Sequence, residues 1–249
     1  MAAKSNFFSI VAGVGAGTGR SVALKFAKTY PVVLLARNPA NYESIVEEIK
    51  SSGGTALGIS TDVSNPESVT KAFSEIQKDQ AFANKKLAAA IYNVGGKFIR
   101  KPFLELSLED YEAGYEATGK GFFLFAQKVL PLLLESVEKS EHPPTLVITG
   151  ATASLRGGAN MSSFASGKFA LRATGQSLAR EFGPKGVHVV HAIIDGVIDI
   201  PRTKEWMVGA GPDAKINSDA IADSYWYLHT QPRSHFTQEL DVRPYVEKF

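Results

Sequence analysis

Four glycines, Gly13, Gly15, Gly17 and Gly19, follow a short apolar run and lead into a helical pattern. Glycine permits a tight turn and lets backbone approach a pyrophosphate closely. A helix starting there, near Thr18, adds N–H donors and the positive end of its dipole. The spacing is G-x-x-x-G-x-G over Gly13, Gly17 and Gly19, not G-x-G-x-x-G. The next apolar run closes with Ala36, Arg37 and Asn38. An acidic residue there would hold the ribose 2′-hydroxyl of NAD. Ala36 followed by Arg37 suits a 2′-phosphate instead, so NADP(H) is the expected cofactor. The plainer alternatives are a glycine-rich connection and a solvated arginine.

These groups need a scaffold. Apolar runs at 7–12, 32–36, 57–61, 87–92, 146–149 and 187–194 read as strands, with a short last strand at 240–242. Helical patterns fall at 19–30, 42–50, 66–78, 162–182 and 219–229. A long helix is expected over 108–137, kinked at Pro131. Continuous apolar strands alternating with helices predict a parallel sheet covered on both faces, an α/β fold in one domain over 1–249. Ligands bind such sheets at the carboxyl ends of the strands. Asp62 and Val63, then Asn93 and Gly95, then Asp195 and Gly196 all fall just after predicted strands.

The glycine loop, Asp62-Val63, Asn93-x-Gly95, Lys168 and Gly196-x-Ile198 together resemble the short-chain dehydrogenase/reductase family. Their order and spacing match over essentially the whole chain. The resemblance implies a Rossmann-like doubly wound sheet of about seven strands in three α/β/α layers. It implies Asp62 near adenine, Asn93 near the adenosine ribose, and the Ile198 backbone at the nicotinamide carboxamide. Lys168 would hold the nicotinamide ribose. A homodimer or homotetramer built through the helices around Thr118 and Lys168 is also implied.

The family's chemistry uses Asn, Ser and a Y-x-x-x-K pair. Lys168 is the lysine, and Phe164 stands four residues earlier on the same helix face, where the tyrosine belongs. The serine position, thirteen residues before Phe164, holds Ala151, and the asparagine position holds Thr118. Phenylalanine exchanges no proton and alanine makes no side-chain hydrogen bond. A general acid contributes about 10²–10⁴-fold, so ketone reduction by the family route is expected to be crippled. Phe164 also reads as helix packing, and Ser162 and Ser163 as helix caps. Tyr92 reads as strand-end packing and His191 as a core histidine. Thr152 is a candidate stand-in for the serine, with a one-residue shift that turns it away as the alternative, and Tyr115 shares a helix face with Thr118. Asp195 replaces the family's proline. It is expected beside the nicotinamide as a catalytic carboxylate alongside Lys168, or else as a turn cap. Asp199 follows, and Ile200 replaces the family's threonine. A substrate lid is expected around 200–215, where Arg202, Trp206 and Met207 point to an apolar or aromatic small molecule.

Composition narrows the classes. Lys+Arg 27 against Asp+Glu 25 gives +2 with no basic run, which disfavours nucleic acid. The absence of cysteine excludes disulfides, thiolate nucleophiles and Cys-ligated metals, and no metal site is expected. A length of 249 residues at 44% apolar content supports a full core. The start of the chain has no stretch long enough for a signal core or a membrane span. The ending Val246-Glu247-Lys248-Phe249 is no familiar targeting signal, so a cytoplasmic protein is expected. Three readings stay open. The first is an atypical NADP(H)-dependent oxidoreductase acting on an activated C=N, C=C or carbonyl group without a tyrosine acid. The second is a non-redox isomerase, dehydratase or pericyclase on the same fold. The third is a non-catalytic NADP-binding protein. The retained cofactor features favour the first over the second.

Overall fold

The computed structural model describes residues 5–248; expectations touching residues 1–4 and Phe249 lie outside the described residues. Seven strands are β1 Phe7–Ala12, β2 Val32–Ala36, β3 Ala56–Ser60, β4 Lys86–Tyr92, β5 Thr145–Thr149, β6 His188–Ile194 and β7 Glu239–Val242. They form one sheet in the order β3-β2-β1-β4-β5-β6-β7, every pair parallel. The order reverses at β1 and β4, so a crevice opens between the loops at their carboxyl ends.

The helices are α1 Thr18–Ala27, α2 Glu43–Ser51, α3 Pro66–Lys78, α4 Leu108–Tyr115, α5 Gly121–Leu134, α6 Ser162–Phe182 and α7 Ser218–His229. Alternation along the strands divides the apolar residues into two cores. Phe8 and Ile10 face Phe73 of α3, Phe125 of α5 and Leu171 of α6. Val11 and Leu34 face Phe26 of α1, Ile49 of α2 and Tyr225 of α7. Central strands buried on both faces need no polar alternation, hence their unbroken apolar runs. Local signals set several boundaries. Asn65 caps α3 by accepting from the Ser68 amide at 2.7 Å, and Pro66 supplies a preset φ in the first turn.

The long helix expected over 108–137 is helical from Leu108 to Leu134, with Pro131 inside α5 and a π-helical turn, Glu116–Lys120, between α4 and α5. The cause of that turn is tertiary. Buried Tyr92 at the end of β4 donates its hydroxyl to the carbonyl of Ala117 within that turn. A Cβ on Gly121 would lie 2.8 Å from the Tyr92 oxygen, so glycine admits the ring there. The ring also packs on Phe122 and Phe125, with centroids at 5.2 and 5.3 Å.

α6 then lies against α4 and the π turn with backbones nearly touching. A Cβ on Gly167 would fall 2.2 Å from the Gly114 carbonyl and 2.3 Å from Thr118 Oγ1. The Ser163 hydroxyl donates to the Asp110 carbonyl at 2.6 Å and to that of Tyr111 at 3.1 Å. The capping expected of Ser162 and Ser163 is therefore not found: Ser163 ties α6 to α4, and the Ser162 oxygen is buried without a partner among the described residues. This close seam aims Lys168, the next residue after Gly167, at the end of β5.

Candidate active site

The first half of the crevice is the glycine loop. Gly13 has φ +85°, a left-handed conformation that favours glycine, and a Cβ there would lie 2.5 Å from the Asn93 carbonyl. A Cβ on Gly19 would lie 2.6 Å from the Gly13 carbonyl. The Asn93 side-chain amide donates to that same carbonyl at 3.0 Å. The loops after β1 and β4 are thus locked together by Gly13, Gly19 and Asn93. Gly15 faces open space, as does Gly95. Gly17 begins α1, which has no side-chain cap and no acidic residue in its first turn. Thr18 is 6% exposed, and its hydroxyl has no partner among the described residues. Uncapped N–H groups, an orphaned hydroxyl and the positive dipole end fit a pyrophosphate. Ile200 overhangs this spot: its Cγ2 lies 2.5 Å from where a Gly17 Cβ would be.

At the end of β2, Arg37 is exposed. Asn38 is engaged locally, its side-chain oxygen accepting from the Ala40 amide at 3.1 Å. Asp62 follows β3 and accepts from the Ser64 amide at 3.0 Å and the Ser64 hydroxyl at 2.7 Å. Burial pushes its carboxyl up, but the Ser64 bonds and the charges of Arg37 and Lys120 outweigh this and hold it below its usual range. Val63 belongs to the core.

The second half of the crevice lies where β5 and β6 end. Lys168 is 4% exposed and donates from Nζ to the Thr149 carbonyl at 3.0 Å. Burial pushes its amine down to about 8. Phe164, one turn away, has its ring centroid 5.9 Å from that amine and stacks edge-on with Phe98 at 5.3 Å. Thr118 is fully buried and turns its hydroxyl back to the Gly114 carbonyl at 2.6 Å. The Ala151 amide donates to Ser154 Oγ at 3.1 Å. Tyr115 lies outside, 47% exposed, its ring covering Gly119.

Asp195 differs from the carboxylate expected to face a ligand. It is 2% exposed, and its side chain is enclosed by partners. Thr152 donates its hydroxyl to one carboxylate oxygen, and Arg243 Nη2 lies 3.3 Å from the other. The Asp195 amide donates to the Val242 carbonyl at 2.8 Å, pinning the end of β6 to β7. Its side chain therefore acts on Thr152, not directly on the crevice. A second network ties the middle of β6 to the start of β7. His191 Nδ1 is 2.9 Å from Glu239, which takes two bonds from Arg172 at 2.8 Å each. Burial pushes the His191 ring down, against the pull of Glu239, which agrees with a core histidine.

Gly196 has φ +153°, and a Cβ there would strike Pro244 at 2.7 Å. Ile198 bridges to Ile216, and its carbonyl accepts the Thr203 hydroxyl. Beyond it, Trp206, Met207 and Val208 are exposed beside an open cavity of about 330 Å³ that Asp199 and Lys215 also line. Arg202 is exposed in the short turn Pro201–Thr203. Phe98, Arg172, Glu239 and Arg243 escaped the sequence reading. Each acts through a partner distant in the chain, and no local spacing marks it. No group of side chains among the described residues could hold a metal ion, and no described helix is long and apolar enough to cross a membrane.

Comparison with known proteins agrees with this architecture. The family model for short chain dehydrogenase matches residues 8–208. A short-chain dehydrogenase from Rhodopseudomonas palustris is 33% identical, with a TM-score of 0.80 over 96% of this chain and 99% of that one. A metagenomic short-chain oxidoreductase in complex with NADP shares the fold at 20% identity, with a TM-score of 0.79 over 98% and 99% of the two chains. An uncharacterized oxidoreductase of Staphylococcus aureus is 24% identical over 245 residues, 98% of this chain and all of its own. With the glycine loop, the seven-stranded sheet and the buried lysine in place, this chain belongs to the short-chain dehydrogenase family of oxidoreductases.

Proposed function

We propose that this protein is an NADP(H)-dependent reductase of an activated carbon–nitrogen double bond in an apolar small molecule. The observation that carries this reading is the pairing of Phe164 with a buried Lys168. The nucleotide-binding features are retained, and the side chain that would pass a proton to an oxygen is a hydrocarbon ring. Gly13, Gly15, Gly17, Thr18 and Gly19 would hold the pyrophosphate, and Arg37 with Asn38 the 2′-phosphate end. Asp62 and Val63 would flank adenine, and Asn93 and Gly95 the adenosine ribose. Lys168 would bind the nicotinamide ribose, and Gly196 with Ile198 the carboxamide. When bound, the nicotinamide supplies hydride.

A ketone needs a proton on oxygen as it is reduced, and neither Phe164 nor Ala151 can give one. A protonated imine already carries its proton on nitrogen. Its carbon needs only positioning and electrostatic support. Phe164 and Phe98 supply an apolar wall, and the exposed Trp206 and Met207 give the lid a matching surface. Exposed Phe103, Leu104, Leu108 and Tyr111, beside and along α4, support a homo-oligomer. The test is NADPH consumption with a cyclic aryl imine and its isosteric ketone at matched concentration. Turnover of the imine alone is expected. Equal or faster reduction of the ketone overturns the reading.

A further inference from the structure

Thr152 opens the short turn that follows β5, next to Asp195 at the end of β6. A threonine hydroxyl has one proton to give and two lone pairs that accept. Here the proton goes to Asp195, whose other oxygen faces Arg243 at 3.3 Å. Arg243 is shared with Asp241 and also lies in the field of Glu247, so the carboxylates around it outnumber the one guanidinium and the cluster leans negative. Thr152 is only partly buried, whereas Asp195 is enclosed. What this cluster offers to a ligand is therefore a hydrogen-bond acceptor with negative charge behind it. Neighbouring groups do not reverse that polarity. Thr118 donates to the Gly114 carbonyl, the Ala151 amide donates to Ser154, and Phe164 has no polar atom. Lys168 keeps further N–H donors, which the proposed function assigns to the cofactor ribose.

We propose that Thr152, positioned by Asp195 and Arg243, is a specificity-determining acceptor that selects ligands bearing N–H at the reacting nitrogen, and rejects the isosteric oxygen compounds. The substrate class is a protonated imine and the secondary amine formed from it. This rests on the reductase reading and narrows it. A site built to accept a hydrogen bond discriminates strongly against an isostere that can only accept, because both acceptors then lose their partner on binding. Asp195 is a positioning residue: it sets which way the Thr152 hydroxyl points.

The test is calorimetric binding to the NADPH-loaded protein, with 2-phenylpyrrolidine as the N–H ligand and 2-phenyltetrahydrofuran as its acceptor-only isostere. NADPH affinity is measured first, and failure to bind NADPH overturns the reductase reading whatever the two ligands do. The wild-type protein is expected to bind the amine at least about tenfold more tightly than the ether. Thr152→Val should erase that preference by weakening the amine alone, and Thr152→Ser should keep it. Asp195→Asn retains the shape but presents an amide that can donate to Thr152. The freed hydroxyl proton then faces the ligand, and the preference should shift toward the ether. A purely structural role for Asp195 predicts weaker binding of both ligands alike. Equal affinities in the wild type, a preference for the ether, no binding of the amine by NADPH-loaded protein, or parallel losses in the variants overturn the proposal.

Discussion

Replacing Lys168 by methionine should make the protein more stable at neutral pH and less stable at high pH. The amine is 4% exposed, and burial lowers it from the ordinary 10.5 to about 8. A gap of that size corresponds to roughly 3 kcal/mol at about 1.36 kcal/mol per unit. The sign comes from proton counting. Below pH 8 the amine is charged in both folded and unfolded chains, and the folded state carries the whole desolvation cost. Between about 8 and 10.5 the unfolded chain binds more protons, so stability rises with pH across that window. Above it the amine is neutral in both states and the cost is gone. Methionine keeps the length and the apolar stem, so packing changes little. It loses the bond to the Thr149 carbonyl, worth about 2 kcal/mol from the charged amine and about 1 kcal/mol from the neutral one. The net expectation for Lys168→Met is a gain of roughly 1 kcal/mol at pH 7, turning into a loss of about 1 kcal/mol above pH 10.5. Urea unfolding of both proteins without cofactor, monitored by circular dichroism from pH 6 to 10.5, measures this directly. A stability difference that does not change with pH, or a variant less stable than wild type at pH 7, refutes the reasoning.

The same geometry sets other outcomes. Arg37→Ala should remove most of a tenfold or greater preference for NADPH over NADH, measured by calorimetry; equal wild-type affinities would show that exposed Arg37 meets no 2′-phosphate. Phe164→Tyr alone should leave ketone reduction near background, because Ala151 still gives the substrate oxygen no hydroxyl. The double variant Ala151→Ser with Phe164→Tyr should raise it. Wild-type ketone turnover unchanged by Lys168→Ala would contradict this. Gly167→Ala should cost about 1–3 kcal/mol by forcing α6 off α4 and the π turn, where the added carbon would lie 2.2 Å from the Gly114 carbonyl. A thermal midpoint equal to wild type would show that the seam can open freely.

Much of the fold is written in local pattern. The bounds of β1, β2, α3 and α6 coincide with those expected from apolar runs, Asn65-Pro66 and helical spacing. Those signals are short-range, because strand burial and helix capping act within a few residues. The expected nucleotide residues lie where the pattern places them, in the loops directly after β1, β2, β3 and β4, because each sits within a few residues of the apolar run that marks its strand. The absence of tyrosine and serine at positions 164 and 151 was also plain. A missing functional group is a property of residue type and needs no coordinates.

Tertiary structure decided the rest. The helix over 108–134 carries a π-helical turn at Glu116–Lys120, where Tyr92 reaches the Ala117 carbonyl from β4. Proline at position 131 is a local signal, whereas a tyrosine hydroxyl arriving from 25 residues away leaves no mark on the sequence of the helix it meets. Asp195 is the sharper case. The sequence alone placed a carboxylate at the end of the sixth strand, in the crevice where ligands bind. Its direction depended on Thr152 from β5's loop and Arg243 after β7, which only the parallel packing of those strands brings together. Side-chain orientation is set by partners in space, and a buried carboxylate turns to whichever donors the fold supplies.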